Sequence, residues 1–337
     1  MKKILTAYKY LTNINSLNFE NKSVLIVGGG WMAYQYALAL SRMNIKDVTI
    51  ISKTKDNVKK ISNEFGFRSL YGGYEKNLPL MKKMDLVIIA TPVHLLLPII
   101  ELALRCGQAN ILVEKPASLY SEDLLVAAEK IKNQRVRVAY NRLLYANFFL
   151  LKYLTEEEGG ISSCHFTFTE WLHTINFKNT LPDAYRRFGI SNSLHVISMA
   201  AELIGFPKEI SAYQSGKLDW HPSGSIFVGS GITEKGISFS YHADWESSGR
   251  WGIEVMTKEN AYRLIPLEDL YVCKKNTTDW QKISFKTAFP DVKQGIAEEI
   301  ALMLDKNMEQ QISLVSLEKA AEFNKLAEKI FGYNHAN

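Results

Sequence analysis

Val24, Leu25, Ile26 and Val27 form an uninterrupted apolar run that stops at three consecutive glycines, and the next segment, Trp31 to Arg42, carries apolar residues at helical spacing. The pattern predicts a strand, a tight turn and a helix. It then repeats. Val48 to Ile51 predicts a second strand, followed by a helix around Asn57 to Phe65; Asp85 to Ala90 predicts another strand and Pro98 to Cys106 a helix closed by Gly107. Ile111 to Val113, a helix from Glu122 to Asn133, and Arg135 to Ala139 complete the series. Apolar strands separated by helices predict an α/β domain over residues 1–140, a doubly wound parallel sheet of the Rossmann kind, with residues 1–20 as an extension.

From residue 141 to 337 the texture changes. Ser163 to Trp171 and Gly236 to Trp245 alternate apolar and polar residues, which predicts strands with one covered face. Helical patterns fall at Phe148 to Leu154, at Ser191 to Ile204 and at Leu317 to Phe331. The second half is therefore predicted to be α+β with a large, mainly antiparallel open sheet, its C-terminal helix returning to the first domain.

Length and charge narrow the classes. With 337 residues, two domains can each bury a core, and a net charge of +5 spread along the chain gives no nucleic-acid signal. Three widely spaced cysteines, Cys106, Cys164 and Cys273, suit neither a disulfide framework nor a zinc cluster, so a reducing compartment is expected and no metal. The apolar start of the chain is cut short by Lys9, and the apolar stretch from Leu86 to Leu104 holds His94, Glu101 and two prolines. A cytoplasmic protein without a membrane partner is the expectation.

Gly28-Gly29-Gly30-Trp31-Met32-Ala33 fits G-x-G-x-x-G/A between a strand and a helix, where backbone N–H groups and the helix dipole meet a pyrophosphate. Gly28, Gly30, Trp31 and Met32 are thus candidate dinucleotide contacts, for a nicotinamide or a flavin cofactor. The second strand ends in Ile51-Ser52-Lys53-Thr54-Lys55, where an NAD enzyme usually has an acid for the ribose 2′-hydroxyl. Ser52 and Lys53 suit a 2′-phosphate, so NADP(H) is expected over NAD(H).

Glu114-Lys115-Pro116 closes the strand begun at Ile111, at the carboxyl edge where ligands bind in such sheets. With Ala90-Thr91-Pro92 upstream and the glycine turn before it, the chain resembles the Gfo/Idh/MocA (glucose-fructose oxidoreductase / inositol dehydrogenase) family. The resemblance implies that Thr91, Pro92, Glu114 and Lys115 contact the cofactor, and that Lys115 also lies against substrate as a proton donor and acceptor. It implies that Tyr140, Asn141 and Arg142 enter the substrate domain as substrate contacts.

Gly189 to Ser198 resembles that family's D-x-G-x-H-x-x-D helix, yet only His195 is retained. Ser191, Ser193 and Ser198 stand at the other three positions. His195 is a candidate acid/base because imidazole titrates near neutrality. Ser191, Tyr185 and Arg186 are candidate substrate contacts. The implied function is hydride transfer between a nicotinamide cofactor and a hydroxyl or carbonyl carbon of a sugar, cyclitol or sugar nucleotide. The missing acids keep open an imine reductase of the same fold, or a non-catalytic NADP-binding sensor or partner subunit. A homo-oligomer, dimer or tetramer, formed through the second sheet is also implied.

Overall fold

The computed structural model describes residues 1–131, 134–175, 177 and 181–333. In chain order the first elements are α1 (Lys2–Leu11), β1 (Ser23–Val27), α2 (Trp31–Arg42), β2 (Asp47–Ser52), α3 (Lys55–Phe65), β3 (Arg68–Tyr71), α4 (Tyr74–Asn77), β4 (Leu86–Ile89), α5 (Leu96–Arg105), β5 (Asn110–Glu114), α6 (Ser121–Ile131) and β6 (Arg135–Ala139). The predicted end of α6 at Asn133 lies outside the described residues. Then follow α7 (Ala146–Glu157), β7 (Ser163–Phe168), α8 (Pro182–Arg186), α9 (Leu194–Ile204), β8 (Pro207–Ser215), β9 (Ile226–Thr233), β10 (Ser238–Asp244), β11 (Trp251–Met256), β12 (Asn260–Leu264), β13 (Tyr271–Lys274), β14 (Trp280–Lys282), α10 (Ile296–Leu304) and α11 (Leu317–Phe331).

The chain divides into two compact units. One comprises residues 9–144 and 287–321; the other comprises residues 1–8 and 145–286 and the chain from Glu322 on. The first unit holds a six-stranded, all-parallel sheet in the order β3-β2-β1-β4-β5-β6. Strand order reverses between β1 and β4, the switch point at which open α/β sheets bind ligands. Val24 to Val27 are buried on both faces, as a central parallel strand requires. Val27 pairs with Ile51 on one side and Ile89 on the other, and Ile89 with Val113. That register brings Gly28, Ser52, Ala90 and Glu114 to one edge of the sheet.

α2 buries Ala33, Tyr36, Ala37 and Leu40. α10 packs on α2 and buries Ile300 and Ala301 in the same core. Segment 287–321 thus completes the Rossmann core from far along the chain, and Val315 adds a bridge to Val138 of β6.

The second unit holds an eight-stranded sheet, β14-β13-β12-β11-β7-β10-β9-β8, antiparallel throughout except for the parallel pair β7 and β10. Period-two alternation has its expected meaning here. Cys164, Phe166 and Phe168 of β7 are buried, while Ser163, His165 and Thr167 are partly open. α9 covers β7 and β11, and Phe227, Trp245 and Phe331 pack their rings together, with centroids 4.8–5.7 Å apart. On the opposite face Tyr213, Val228 and Ile232 of β8 and β9 are exposed.

The helix predicted from Ser191 begins differently. Gly189 to Ser193 form a π-helical turn, and the regular α9 starts at Leu194. Distant parts of the chain meet at this wide turn: Gly189 lies against the Phe331 ring with no room for a Cβ, and the Asn192 and Ser193 side chains are drawn to Glu170. Such turns are frequent at functional sites.

Candidate active site

In the first unit the glycines divide the work. A Cβ on Gly28 would run into the Ala90 carbonyl, and its φ of 141° is one that side chains rarely adopt. The fold itself requires this glycine. A Cβ on Gly30 would meet nothing within 4 Å, and its φ of −86° suits any residue. Packing therefore does not explain Gly30; the open space over it, at the head of α2, fits the close approach of a pyrophosphate. The first-turn N–H groups of α2 have no acceptors within the helix, and the dipole adds about half a positive charge there. Ala33 is buried where helix meets strand, whereas Trp31 is 62% exposed.

The Ser52 side chain is buried beside Gly29, and its carbonyl accepts a hydrogen bond from the Gly73 N–H at 3.1 Å. Lys53 projects exposed from the same strand end. Thr91 keeps its hydroxyl oxygen buried without a protein hydrogen-bond partner, a polar position that a ligand group can complete. Pro92 next to it is exposed.

Glu114 and Lys115 are both partly exposed at the end of β5. The Tyr36 hydroxyl donates to Glu114 Oε1 at 2.7 Å. Burial pushes the Glu114 carboxyl above its usual range, against the opposing pull of the Tyr36 hydrogen bond and the charges of Lys115 and Lys293. Behind this pair Glu299 of α10 is wholly buried, and burial, with the charges of Glu114 and Glu298, raises its pKa well above the ordinary value. Periodicity gave no sign of Glu299 or Lys293, because both arrive with the returning segment. Tyr140 is buried, which raises its phenol pKa. The Asn141 amide donates to the Gln294 carbonyl at 2.8 Å, and Arg142 is partly exposed.

In the second unit His195 lies near the head of α9, 8% exposed, with its ring centroid 5.7 Å from that of Trp251. Ser191 donates its hydroxyl to the Ala184 carbonyl at 2.7 Å, so its proton is already engaged by the backbone. Tyr185 is partly buried, with its ring against Phe177 at 5.3 Å, and Arg186 is exposed. Its neighbour Arg187 is instead buried, with Nη2 2.6 Å from Glu328 Oε1. Ser198 turns back to the His195 carbonyl at 3.1 Å.

An acid does stand beside this turn, although not where sequence reasoning looked. Glu170, 2% exposed, accepts hydrogen bonds from Ser193 Oγ at 2.6 Å, Asn192 Nδ2 at 2.8 Å and Arg250 Nη1 at 3.2 Å. Burial raises its pKa to about 7 against those opposing contacts. The Arg250 guanidinium lies 4.1 Å from the Trp251 ring centroid and 4.6 Å from that of Trp171. The only sequence signal was an acid near the end of the alternating run from Ser163 to Trp171.

Among the described residues no cluster of three His, Cys, Asp or Glu is placed to hold a metal, and no helix is long and apolar enough to cross a membrane.

Residues 22–141 match the family model described as an oxidoreductase family with an NAD-binding Rossmann fold. Over 78 residues the chain is 35% identical to shikimate dehydrogenase (NADP(+)) of Methanothermobacter thermautotrophicus, covering 22% of this chain and 28% of that protein. Over 74 residues it is 31% identical to glutamyl-tRNA reductase of Natranaerobius thermophilus, covering 22% of this chain and 16% of that one. The matched stretch is thus under a third of either relative.

Whole-chain similarity appears in solved structures. An oxidoreductase from Agrobacterium radiobacter in complex with NAD+, L-tartaric acid and magnesium matches with a TM-score of 0.75 at 15% identity, over 92% of this chain and 95% of that one. Levoglucosan dehydrogenase in complex with NADH and levoglucosan matches with 0.71 at 19%, over 92% and 96%. UDP-N-acetylglucosamine 3-dehydrogenase from Acidithiobacillus ferrooxidans matches with 0.70 at 12%, over 94% and 98%. At such identities the likeness establishes the fold. The six-stranded sheet, its glycine turn and the Glu114-Lys115-Pro116 strand end all fall within residues 22–141, the stretch over which the chain matches the Gfo/Idh/MocA oxidoreductase family model.

Proposed function

We propose that this protein is an NADP(H)-preferring oxidoreductase acting on a hydroxyl or carbonyl carbon of a sugar, cyclitol or sugar nucleotide. The observation that carries the reading is the open space over Gly30, which packing does not explain, on the same sheet edge as Lys115. The printed activities of levoglucosan dehydrogenase and UDP-N-acetylglucosamine 3-dehydrogenase support a carbohydrate substrate. Exposed Lys53 and buried Ser52 at the end of β2, with no acid there, support NADP(H) over NAD(H).

A bound nicotinamide supplies or accepts the hydride. The chain's own part is to bind, orient and move a proton. Lys115 takes the proton of the substrate hydroxyl at Nζ in oxidation and returns it in reduction, and His195 is the second acid/base candidate. Tyr140, Asn141, Arg142, Tyr185 and Arg186 remain substrate-side candidates. The outward residues Tyr213, Val228 and Ile232 support association of two or more copies through the second sheet.

One observation favours a second reading. Ser191 stands at the position of the family's acid and its hydroxyl is held by the Ala184 carbonyl, so this position offers a substrate no carboxylate. That suits reduction of an imine, or a nucleotide sensor without turnover. NADP+-linked oxidation of a panel of sugars, cyclitols and sugar nucleotides, and NADPH-linked reduction of their carbonyl forms and of imines, by the parent and by Lys115→Ala, tests the proposal. The expected result is turnover by the parent and its loss in the variant with NADPH binding retained. Reaction of imines alone would favour C=N reduction, and binding without any turnover would favour the sensor.

A further inference from the structure

We infer that Lys293 is a ligand of the dinucleotide's pyrophosphate, delivered to the glycine turn by the segment that re-enters the Rossmann unit. The inference rests on the dinucleotide reading above and adds to it a residue outside the matched domain.

That segment is pinned on both sides of Lys293. Ala288, Val292 and Ile296 are buried in the core they share with α2. Arg42 Nε meets Asp291 Oδ2 at 2.5 Å, and the Asn141 amide holds the Gln294 carbonyl at 2.8 Å. Gly295 has φ +85°, and a Cβ there would strike the Asn141 carbonyl, so the backbone can lie this close to the β6 end only with glycine. Asn141 thus also holds the segment against the end of β6. With Val292 turned into the core, Lys293 extends toward the helix head. Its Nζ lies 4.6 Å from the Trp31 ring centroid and 3.8 Å from Met32 Sδ, the first two residues of α2.

The chemistry fits that position. From Gly28 to Ala33 the turn has no ionisable side chain, whereas a pyrophosphate diester brings two negative charges. Helix dipole and N–H groups answer part of that charge, and a lysine ammonium is a common phosphate ligand acting as a point charge. The Trp31 ring is largely open to solvent, so its hold on the ammonium is weak and exchangeable for a phosphate oxygen. Lys293 also feels the acids Glu114 and Glu299. Balancing them is the competing role, and it predicts a different pattern of ligand loss.

The test is calorimetric titration of the parent, Lys293→Met and Lys293→Arg with NADPH, ADP-ribose and adenosine 2′-monophosphate, which lacks the pyrophosphate. A charge-assisted phosphate contact predicts that Lys293→Met weakens NADPH and ADP-ribose about tenfold or more. The monophosphate should stay within about twofold of the parent, and Lys293→Arg should recover most of the loss. Equal weakening of all three ligands, or none, overturns the inference while the functional reading stands. A parent that binds none of the three overturns that reading and the inference with it.

Discussion

Tyr36 donates its hydroxyl to Glu114 across 2.7 Å, joining the helix that follows the glycine turn to the strand end that carries Lys115. Tyr36 is wholly buried, and burial together with Glu114 raises its pKa well above the usual phenol value, so it remains a donor at any physiological pH. Tyr36→Phe leaves the half-buried Glu114 carboxyl short of a donor, at a cost of about 1 kcal/mol, and pushes the Glu114 pKa further up. Urea unfolding of parent and variant at pH 7 measures this. A difference below about 0.5 kcal/mol would show that the bond contributes little.

Glu170 makes stability depend on pH in a defined direction. Its folded pKa of about 7 lies above the ordinary 4.5, so between these values the folded state holds more protons than the unfolded one, and stability falls as pH rises. Glu298, also raised to about 7, and Glu299, raised well above 4.5, act with the same sign. In Glu170→Gln the loss of stability from pH 5 to pH 8 should shrink by roughly 3 kcal/mol at most. Denaturation curves at the two pH values check this, and an unchanged difference would mean that Glu170 is ionised throughout.

The first unit was readable in the sequence because its signals are local. Val24 to Val27 followed by Gly28-Gly29-Gly30 announces strand, turn and helix within a dozen residues, and Glu114-Lys115-Pro116 marks a strand end by itself. Strand β3 was not predicted, nor were β8, β9 and β11 to β14; in β9, Gly229, Ser230 and Gly231 blur the alternation. The return of residues 287–321 to the first unit rests on contacts far apart in sequence, such as Asn141 with Gln294. No periodicity reports such contacts, and Lys293 and Glu299 were missed with them. The regular helix expected from Ser191 missed the π turn for a similar reason: Glu170, which draws Asn192 and Ser193 to itself, lies 23 residues before Ser193.

Coenzyme preference follows from the end of β2. Lys53→Asp replaces an exposed cation by the acid that suits a ribose 2′-hydroxyl. NADPH should weaken about tenfold or more, while NADH is unchanged or tighter. Parallel fluorescence titrations give the ratio, and a ratio equal to the parent's would remove Lys53 from the site.

Binding of a nicotinamide dinucleotide at the glycine turn depends on Gly30. Its backbone suits any residue, and a Cβ there would meet no protein atom within 4 Å, so Gly30→Val should leave stability within about 0.5–1 kcal/mol of the parent. The same side chain would fill the space assigned to the pyrophosphate. The parent should quench or enhance NADPH fluorescence saturably, whereas Gly30→Val, equally folded, should bind at least about tenfold more weakly. Undiminished binding by a folded Gly30→Val, or no binding by the parent, would contradict this role of Gly30.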